Sequence, residues 1–344
     1  MLSMKRLVVL GTGGTISGEA ASAADNLGYS AGSVTIGRIV EEIAPPPGHV
    51  LVPQDVAQLD SKDMDFQTWQ ALAGICQQWL EQPDVVGVVI THGTDTLEET
   101  AYFLDQVLPP GKPLVLTCAM RPASSLAPDG PQNVRDALAL AATPHASGVM
   151  VVCAGVVHAA VDAQKVHTYR LDAFSSGDVG PIGFIEEGGL RQARSWATTR
   201  FSPELARAVL ATPPEAWPRI DVVTSHAGAR SDIVDALLGA RERGLMRLDG
   251  LVVAATGNGT LHRSLELGLR RAEAAGVVVR RATRCSQGRI LAAPGEAFEE
   301  AGALSPVKAR IRLLLDLLER QTGARHDRAP TGGSAAGTPP QPAS

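Results

Sequence analysis

Residues 7–17 read Leu-Val-Val-Leu-Gly-Thr-Gly-Gly-Thr-Ile-Ser, an apolar run that stops abruptly in three glycines interleaved with two threonines. A run of this kind reads as a buried strand that ends in a tight loop. Glycine at 11, 13 and 14 lets backbone N–H groups approach a ligand closely and leaves the Thr12 and Thr15 hydroxyls uncrowded. The carboxyl end of a parallel strand is where open α/β sheets place their ligands. As a dinucleotide fingerprint the loop fails, because Ile16 stands where close helix-to-strand packing requires glycine or alanine. As a Walker loop it fails too, having no Gly-Lys pair followed by serine or threonine. A structural glycine turn stays open as an alternative for this stretch taken alone.

Outward from this loop the same signal recurs. Unbroken apolar runs lie at Arg6 to Leu10, Val85 to Ile90, Leu114 to Cys118 and Val149 to Cys153, and unbroken runs mean strands covered on both faces. Between them come helical patterns around Ile36 to Ile43, Asp65 to Trp79, Leu97 to Leu108 and Val134 to Ala142. The alternation predicts a parallel sheet with right-handed crossovers. From Gly188 to Pro218 the pattern lapses into a polar stretch with one short helical segment, closed by Pro213, Pro214 and Pro218. A second alternation follows, with strands at Ile220 to Val223, Leu251 to Ala255 and Val277 to Val279 and helices at Asp232 to Arg243 and Leu261 to Ala275. A final helix is signalled by Ser305 as N-cap, Pro306 in the first turn and a stripe of Val307, Ile311, Leu314, Leu315 and Leu318.

The expected fold class is therefore α/β, with a larger N-terminal, mostly parallel sheet flanked by helices and a smaller C-terminal α/β domain. The expected division is a catalytic domain at 1–190, a connection at 191–218, a second domain at 219–323 and a disordered tail at 324–344 rich in Gly, Ala, Pro, Ser and Thr.

A length of 344 residues suits two domains, and the net charge of -5 argues against nucleic acid as a partner. Arg280, Arg281 and Arg284 form the densest basic group and, without interleaved aromatics, read as a solvated face. The cysteines at 76, 118, 153 and 285 are far apart and mostly inside apolar runs, which suggests buried free thiols in a reducing, cytoplasmic compartment rather than a zinc site or disulfide framework. The apolar run from Leu7 to Leu10 is too short for a signal peptide or a membrane span. No metal or cofactor is expected, since the histidines include no metal-spaced pair on a helix, and His92 is expected to orient its own loop.

A second glycine-bearing loop, Thr91-His92-Gly93-Thr94-Asp95-Thr96, follows the apolar run Val85 to Ile90 and precedes a helical segment containing Glu98 and Glu99. It is the positional twin of the first loop. Two strand-ending loops at one sheet edge, offering threonines and a carboxylate, form a constellation with chemical content. For Asp95 or Thr96 the competing reading is a helix N-cap with Glu98 or Glu99 in a capping box. The string Gly28-Tyr29-Ser30-Ala31-Gly32 imitates a nucleophile elbow, but no strand precedes it.

These residues resemble the bacterial L-asparaginase and glutaminase-asparaginase family, which uses a threonine nucleophile. Leu10 to Ser17 is similar to its first signature and Gly87 to Leu97 to its second, and the likeness continues through Leu59 to Met64, Glu98 to Leu104, Ala119 to Pro122 and Asp129 to Pro131. The resemblance implies that Thr12 forms an acyl-enzyme and that Tyr29 sits on a mobile loop closing over it. It maps the family's threonine, aspartate and lysine group to Thr94, Asp95 and Lys165. It gives Ser61 the substrate's α-carboxylate and Asp95 its ammonium, with Gly11 and Gly93 among the substrate-binding positions. A hydroxyl is a weak nucleophile at neutral pH, so Tyr29 or Lys165 is needed as base. A neighbouring carboxylate favours the ammonium form of a lysine, so the proton is expected to move through Lys165, Thr94 and Asp95 as a coupled group. The oxyanion is expected to meet backbone N–H groups of the glycine loops.

The resemblance also implies a homotetramer built from close dimers, in which a Gly-Asn-Gly-Asn string of one chain reaches a neighbour's small amino-acid amide substrate. Here the string is Gly257-Asn258-Gly259-Thr260, so Thr260 replaces the last amide. Hydrolysis of asparagine to aspartate and ammonia is the expected activity, with glutaminase-asparaginase as the near alternative. An ammonia-releasing subunit of a tRNA-dependent amidotransferase is disfavoured because little chain precedes Arg6. A catalytically weak amino-acid-binding module is disfavoured because Thr12, Tyr29, Thr94, Asp95 and Lys165 are all present.

Overall fold

The structure is a computed structural model that describes residues 4–30, 33–197, 201–293 and 295–326, with side chains of the last helix described to Gly323. In chain order the elements are β1 (Lys5–Gly13), a hairpin of β2 (Glu19–Ala20) and β3 (Tyr29–Ser30), α1 (Ile36–Glu41), β4 (His49–Leu59), α2 (Phe66–Leu80), β5 (Val85–Thr91) and α3 (Leu97–Val107). Next come β6 (Pro113–Thr117), α4 (Gly130–Ala141), β7 (Gly148–Cys153), β8 (Val156–Ala159), a hairpin of β9 (Gln164–Lys165) and β10 (Phe174–Ser175), β11 (Gly183–Glu186) and β12 (Gly189–Gln192). The remainder is α5 (Pro203–Ala211), β13 (Ile220–Thr224), α6 (Asp232–Glu242), β14 (Gly250–Ala255), α7 (Arg263–Ala274), β15 (Val278–Thr283), β16 (Glu299–Glu300) and α8 (Pro306–His326).

The large sheet runs β12-β11-β8-β7-β6-β5-β1-β4. Its five strands from β4 to β7 are parallel, and β8, β11 and β12 are added antiparallel. The unbroken apolar runs have the cause inferred from sequence. Val8 and Leu10 of β1 face a core shared with α2 and α3, while Leu7 and Val9 face a core shared with α1 and α4. The chain leaves β1 to form β4 on one side and returns to form β5 on the other, so the strand order reverses between β1 and β5. That reversal opens a crevice beyond the carboxyl ends of β1 and β5, the place where such sheets bind ligands. Both glycine loops lie there.

Strand β4 was not expected. Pro53 interrupts its pattern and its residues are mostly half-buried, which fits an edge strand, the one place in a sheet where proline does not remove a needed ladder bond. The stretch expected to be a connection, 191–218, is more structured than its composition suggests. Its first two residues finish β12, and α5 packs against α2, α3 and α8, with the Gln70 side-chain amide donating to the carbonyls of Val209 (2.7 Å) and Thr212 (2.8 Å).

The second sheet, β13-β14-β15-β16, is parallel throughout. Helices α6 and α7 cover one face through Val234, Leu238, Leu265 and Leu269. Helix α8 covers the other with Ile311, Leu314, Leu315 and Leu318, and these residues share one continuous core with α3 and α5 of the first domain. Helix α8 thus belongs to both halves of the molecule. It continues past Gly323 to His326, three residues into the stretch expected to be the tail, and residues 327–344 lie outside the described residues.

One expectation is overturned. Arg280 and Arg281 are 5% exposed, not a solvated face. Successive residues of β15 point to opposite faces of the sheet. Arg280 therefore reaches Asp316 of α8 (2.8 Å) and Glu299 (2.9 Å), while Arg281 reaches Glu296 (2.7 Å) and the carbonyl of Gly259 (3.1 Å). Carboxylates placed on both sides make burial of adjacent guanidiniums tolerable. The chain becomes exposed from Arg284 to Arg289, so Cys285 departs from the other three cysteines, which are buried.

Candidate active site

Three backbone segments meet at the switch point at separations only glycine permits. A Cβ on Gly14, whose φ is 81°, would lie 2.3 Å from Gly93 Cα, and one on Gly93 would lie 2.5 Å from Ser61 Oγ. Gly11 is hemmed in by Asp55 Oδ1 and Ile36 Cβ, each 2.9 Å from where its Cβ would stand. The glycines therefore weld the ends of β1, β4 and β5 together. Gly14 N donates to the Leu59 carbonyl at 2.9 Å across the same seam.

On this scaffold the predicted residues converge. Thr12, the penultimate residue of β1 and 1% exposed, donates its hydroxyl hydrogen to the Thr91 carbonyl at 3.0 Å. Lys165 Nζ donates to Thr94 Oγ1 and to Asp95 Oδ1, each at 2.7 Å. Because Thr94 accepts from the lysine, its own hydrogen is free to be donated elsewhere. Asp95 is open to solvent, with its side chain 55% exposed, whereas the Lys165 side chain is 20% exposed. Ser61 is buried and accepts from the Asp95 backbone N–H at 3.2 Å, and its carbonyl accepts from the Thr96 hydroxyl at 2.7 Å. Thus Asp95 through its backbone and Thr96 through its side chain both link the second loop to the Ser61 turn, and neither side chain caps α3.

Tyr29, on the β2–β3 hairpin, has its hydroxyl 2.6 Å from Thr15 Oγ1, one turn along from Thr12. The hairpin is tied to the segment after β6: Ala123 N donates to the Gly18 carbonyl at 3.0 Å, Leu126 N to the Ala23 carbonyl at 3.1 Å, and Ser125 Oγ to Asn26 Oδ1 at 2.8 Å. Ala31 and Gly32 of the loop lie outside the described residues.

His92 orients its own loop. Its Nδ1 is 2.7 Å from the Gly93 carbonyl, which can only accept, so Nδ1 carries the hydrogen. Nε2 then accepts from the Thr100 hydroxyl at 2.9 Å, and Thr100 in turn accepts from Trp69 Nε1 at 2.9 Å. Complete burial pushes the imidazole pKa down to about 4, so the relay is neutral near pH 7.

Thr260 stands apart from this cluster. Its hydroxyl donates to the Thr256 carbonyl at 3.1 Å and lies 2.8 Å from Thr256 Oγ1, within its own turn. The neighbouring Asn258 side chain is engaged with both backbone groups of Leu291, at 3.0 and 2.8 Å. Among the described residues no cluster of His, Cys, Asp or Glu is placed to hold a metal ion.

Sequence reasoning missed three contributors. Thr15 was visible in the first loop, yet only the hairpin fold shows that it meets Tyr29. Glu98 accepts from the Lys165 backbone N–H at 2.5 Å; its carboxyl pKa is raised by burial, against the charge of Lys308 and this hydrogen bond. Lys308, in the apolar stripe of α8, gave no sequence signal at all.

Two successive α/β domains with threonine and serine hydroxyls gathered where the ends of β1, β4 and β5 meet are the pattern of a known class of hydrolases. The N-terminal asparaginase domain matches residues 6–197 and the glutaminase/asparaginase C-terminal domain matches residues 219–327. The chain belongs to the asparaginase family. It is 33% identical over 336 residues to L-asparaginase 2 of Escherichia coli, covering 92% of this chain and 90% of that one. It is 39% identical over 259 residues to a probable L-asparaginase of Deinococcus radiodurans, covering 72% and 74% of the two chains. A crystal structure of a probable cytoplasmic L-asparaginase from Campylobacter jejuni superposes with a TM-score of 0.80 at 31% identity, over 91% of this chain and 95% of that one.

Proposed function

We propose that this protein hydrolyses L-asparagine to L-aspartate and ammonia through an acyl-enzyme on Thr12. The observation that carries the reading is the convergence of Thr12, Thr94, Asp95 and Lys165 at the switch point, in a chain of the asparaginase family.

In this reading Thr12 Oγ1 attacks the side-chain amide carbon, an Oγ–C bond forms, and the carbonyl electrons move to oxygen. Backbone N–H groups of the glycine loops stabilise that oxyanion, each donor at comparable sites being worth about 3–4 kcal/mol. The proton leaving Thr12 is taken by Tyr29 or by the Lys165–Thr94–Asp95 group and delivered to the departing nitrogen, so the C–N bond breaks with release of ammonia. Water then attacks the ester, and the C–Oγ bond breaks as Thr12 regains its proton. Asp95 supports this assignment because its carboxylate is solvent-accessible beside the crevice and can receive the substrate's α-ammonium. Ser61, buried beside Gly93, is assigned the α-carboxylate.

Glutamine, one methylene longer, is the poorer substrate by about 1–3 kcal/mol. Sites are completed in a homotetramer of close dimers, each chain lending its small domain to a neighbour's crevice. A cytoplasmic location is in keeping with three buried free cysteines. Ammonia release from purified protein given L-asparagine, L-glutamine or D-asparagine tests the activity; no release from L-asparagine would sink it. Light scattering tests the assembly, and a fully active monomer would refute it.

A further inference from the structure

Lys308 is a lysine buried to 2% exposure in a helix otherwise packed with leucines. It lies on α8, which covers the C-terminal sheet, yet its ammonium crosses into the N-terminal domain. Nζ donates to the carbonyls of Ala160 (3.0 Å), Val161 (3.0 Å) and Ala163. An ammonium has three hydrogens, and here each has a carbonyl. Those carbonyls belong to the tight turn after β8, in which Ala163 N also donates to the Ala159 carbonyl at 2.8 Å. Two residues further on is Lys165, whose backbone N–H is fixed by Glu98.

We propose that Lys308 is a positioning residue for Lys165, through which the C-terminal domain sets the geometry of the Lys165–Thr94–Asp95 group. The proposal rests on the catalytic reading of Lys165 given above. The turn has no side chain of its own able to gather three carbonyls. Carbonyls that point together repel one another, and a buried cation at their focus reverses that repulsion. The turn's shape therefore depends on Lys308. Lys165 reaches Thr94 and Asp95 at 2.7 Å from a two-residue strand, so a shift of the turn is passed directly to Nζ.

The surroundings suit a cation. Glu98, Glu99 and Asp105 of α3 and Asp162 of the turn favour the charge, while burial is the larger influence and lowers the Lys308 pKa to about 8. Asp162 is itself paired with Arg194 at 2.5 Å, and His158, on β8, feels the positive charge of both Lys308 and Arg194. Lys308 is thus held by dipoles with carboxylates behind them, a setting that fixes a backbone turn.

The test compares ammonia release by Lys308→Met, Lys308→Arg, Lys165→Met and the Lys308→Met/Lys165→Met double variant of the full chain, each assayed well below its own unfolding temperature. A displacement of about 1 Å at a reacting group costs up to about a hundredfold. Lys308→Met is therefore expected to lower kcat about tenfold to a hundredfold with KM changed less than about threefold, and Lys308→Arg to fall between it and the parent. In the Lys165→Met background, Lys308→Met is expected to cause no further loss of residual turnover. Parental kcat in Lys308→Met, or the same fold loss in both backgrounds, would overturn the proposal while leaving Lys165 catalytic. Parental kcat in Lys165→Met would instead overturn the reading beneath it. Should Lys308→Met not fold, Lys308→Arg decides: a lowered kcat at unchanged KM supports the proposal, and an unchanged kcat overturns it.

Discussion

The Tyr29 hydroxyl meets Thr15 Oγ1 at 2.6 Å, while Thr12 is bonded to the Thr91 carbonyl. The β2–β3 hairpin is therefore latched to the first glycine loop through Thr15, and any proton passing from Thr12 to Tyr29 arrives at a hydroxyl already paired with that loop. Thr15→Val and Tyr29→Phe break the same hydrogen bond. One neutral hydrogen bond is worth about 0.5–1.5 kcal/mol, or about two- to twelvefold. Tyr29→Phe should lower kcat more than it raises KM, and the double variant should be no worse than the poorer single one. Losses that simply multiply would show that the two hydroxyls act separately, and a pure KM effect would assign Tyr29 to binding.

Thr12→Ala should keep the fold and substrate binding and lose turnover. Thr12 lies at the carboxyl end of β1, where alanine removes only a hydroxyl and a methyl, and the lost hydrogen bond costs roughly 1 kcal/mol, so unfolding should shift by only a few degrees. Calorimetric binding of asparagine to the inert variant, together with its melting temperature, checks both halves. Near-normal turnover would remove Thr12 from the mechanism.

Acid should destabilise the protein in a defined window. His92 and His158 are held neutral in the fold with pKa values of about 4, by burial in each case and for His158 also by Lys308 and Arg194. The unfolded imidazole titrates near 6.5, so below that pH the unfolded chain binds more protons than the folded one. The stability these groups contribute is full above about pH 6.5 and is lost as pH falls through about 4. Urea midpoints at pH 7, 5.5 and 4.5 should fall, and His92→Asn should flatten the slope by about one proton. An unchanged slope would mean that His92 is not the neutral member of the Trp69–Thr100–His92–Gly93 relay.

The contrast between Arg281 and Thr12 shows what the sequence could reveal. The β1 and β5 loops were legible because a parallel strand imposes a local signature, an apolar run cut off by glycine, and the chemistry follows at once. Strand β4 hid behind Pro53, since an edge strand needs only one face and one ladder. Arg280, Arg281 and Lys308 were illegible for a different reason: their partners are carboxylates and carbonyls brought in from distant segments. No local pattern distinguishes a buried, compensated cation from a solvated one. The roles of Thr15 and Glu98 likewise depend on hairpins whose strands are two residues long.

Thr260 carries the last prediction, which rests on the proposed assembly. Its hydroxyl hydrogen is committed to Thr256 within its own turn, and its oxygen, still able to accept from a substrate ammonium, sits on a shorter side chain than an asparagine amide, while Asn258 is engaged with Leu291. If this turn reaches a neighbour's crevice, ammonium binding leans on the exposed Asp95 carboxylate, with Thr260 contributing through a bridging water or not at all. Asparagine at 260 would restore a longer amide whose carbonyl can accept directly. Thr260→Asn should therefore lower KM for L-asparagine by about two- to twelvefold, the worth of one neutral hydrogen bond, with kcat little changed. Asp95→Ala removes a charge-assisted contact and also the partner of Lys165, and should abolish productive binding. Steady-state kinetics on asparagine and glutamine for both variants check the pair. An unchanged KM in Thr260→Asn would show that residue 260 does not touch the substrate, and ammonium recognition would then fall to Asp95 within a single chain.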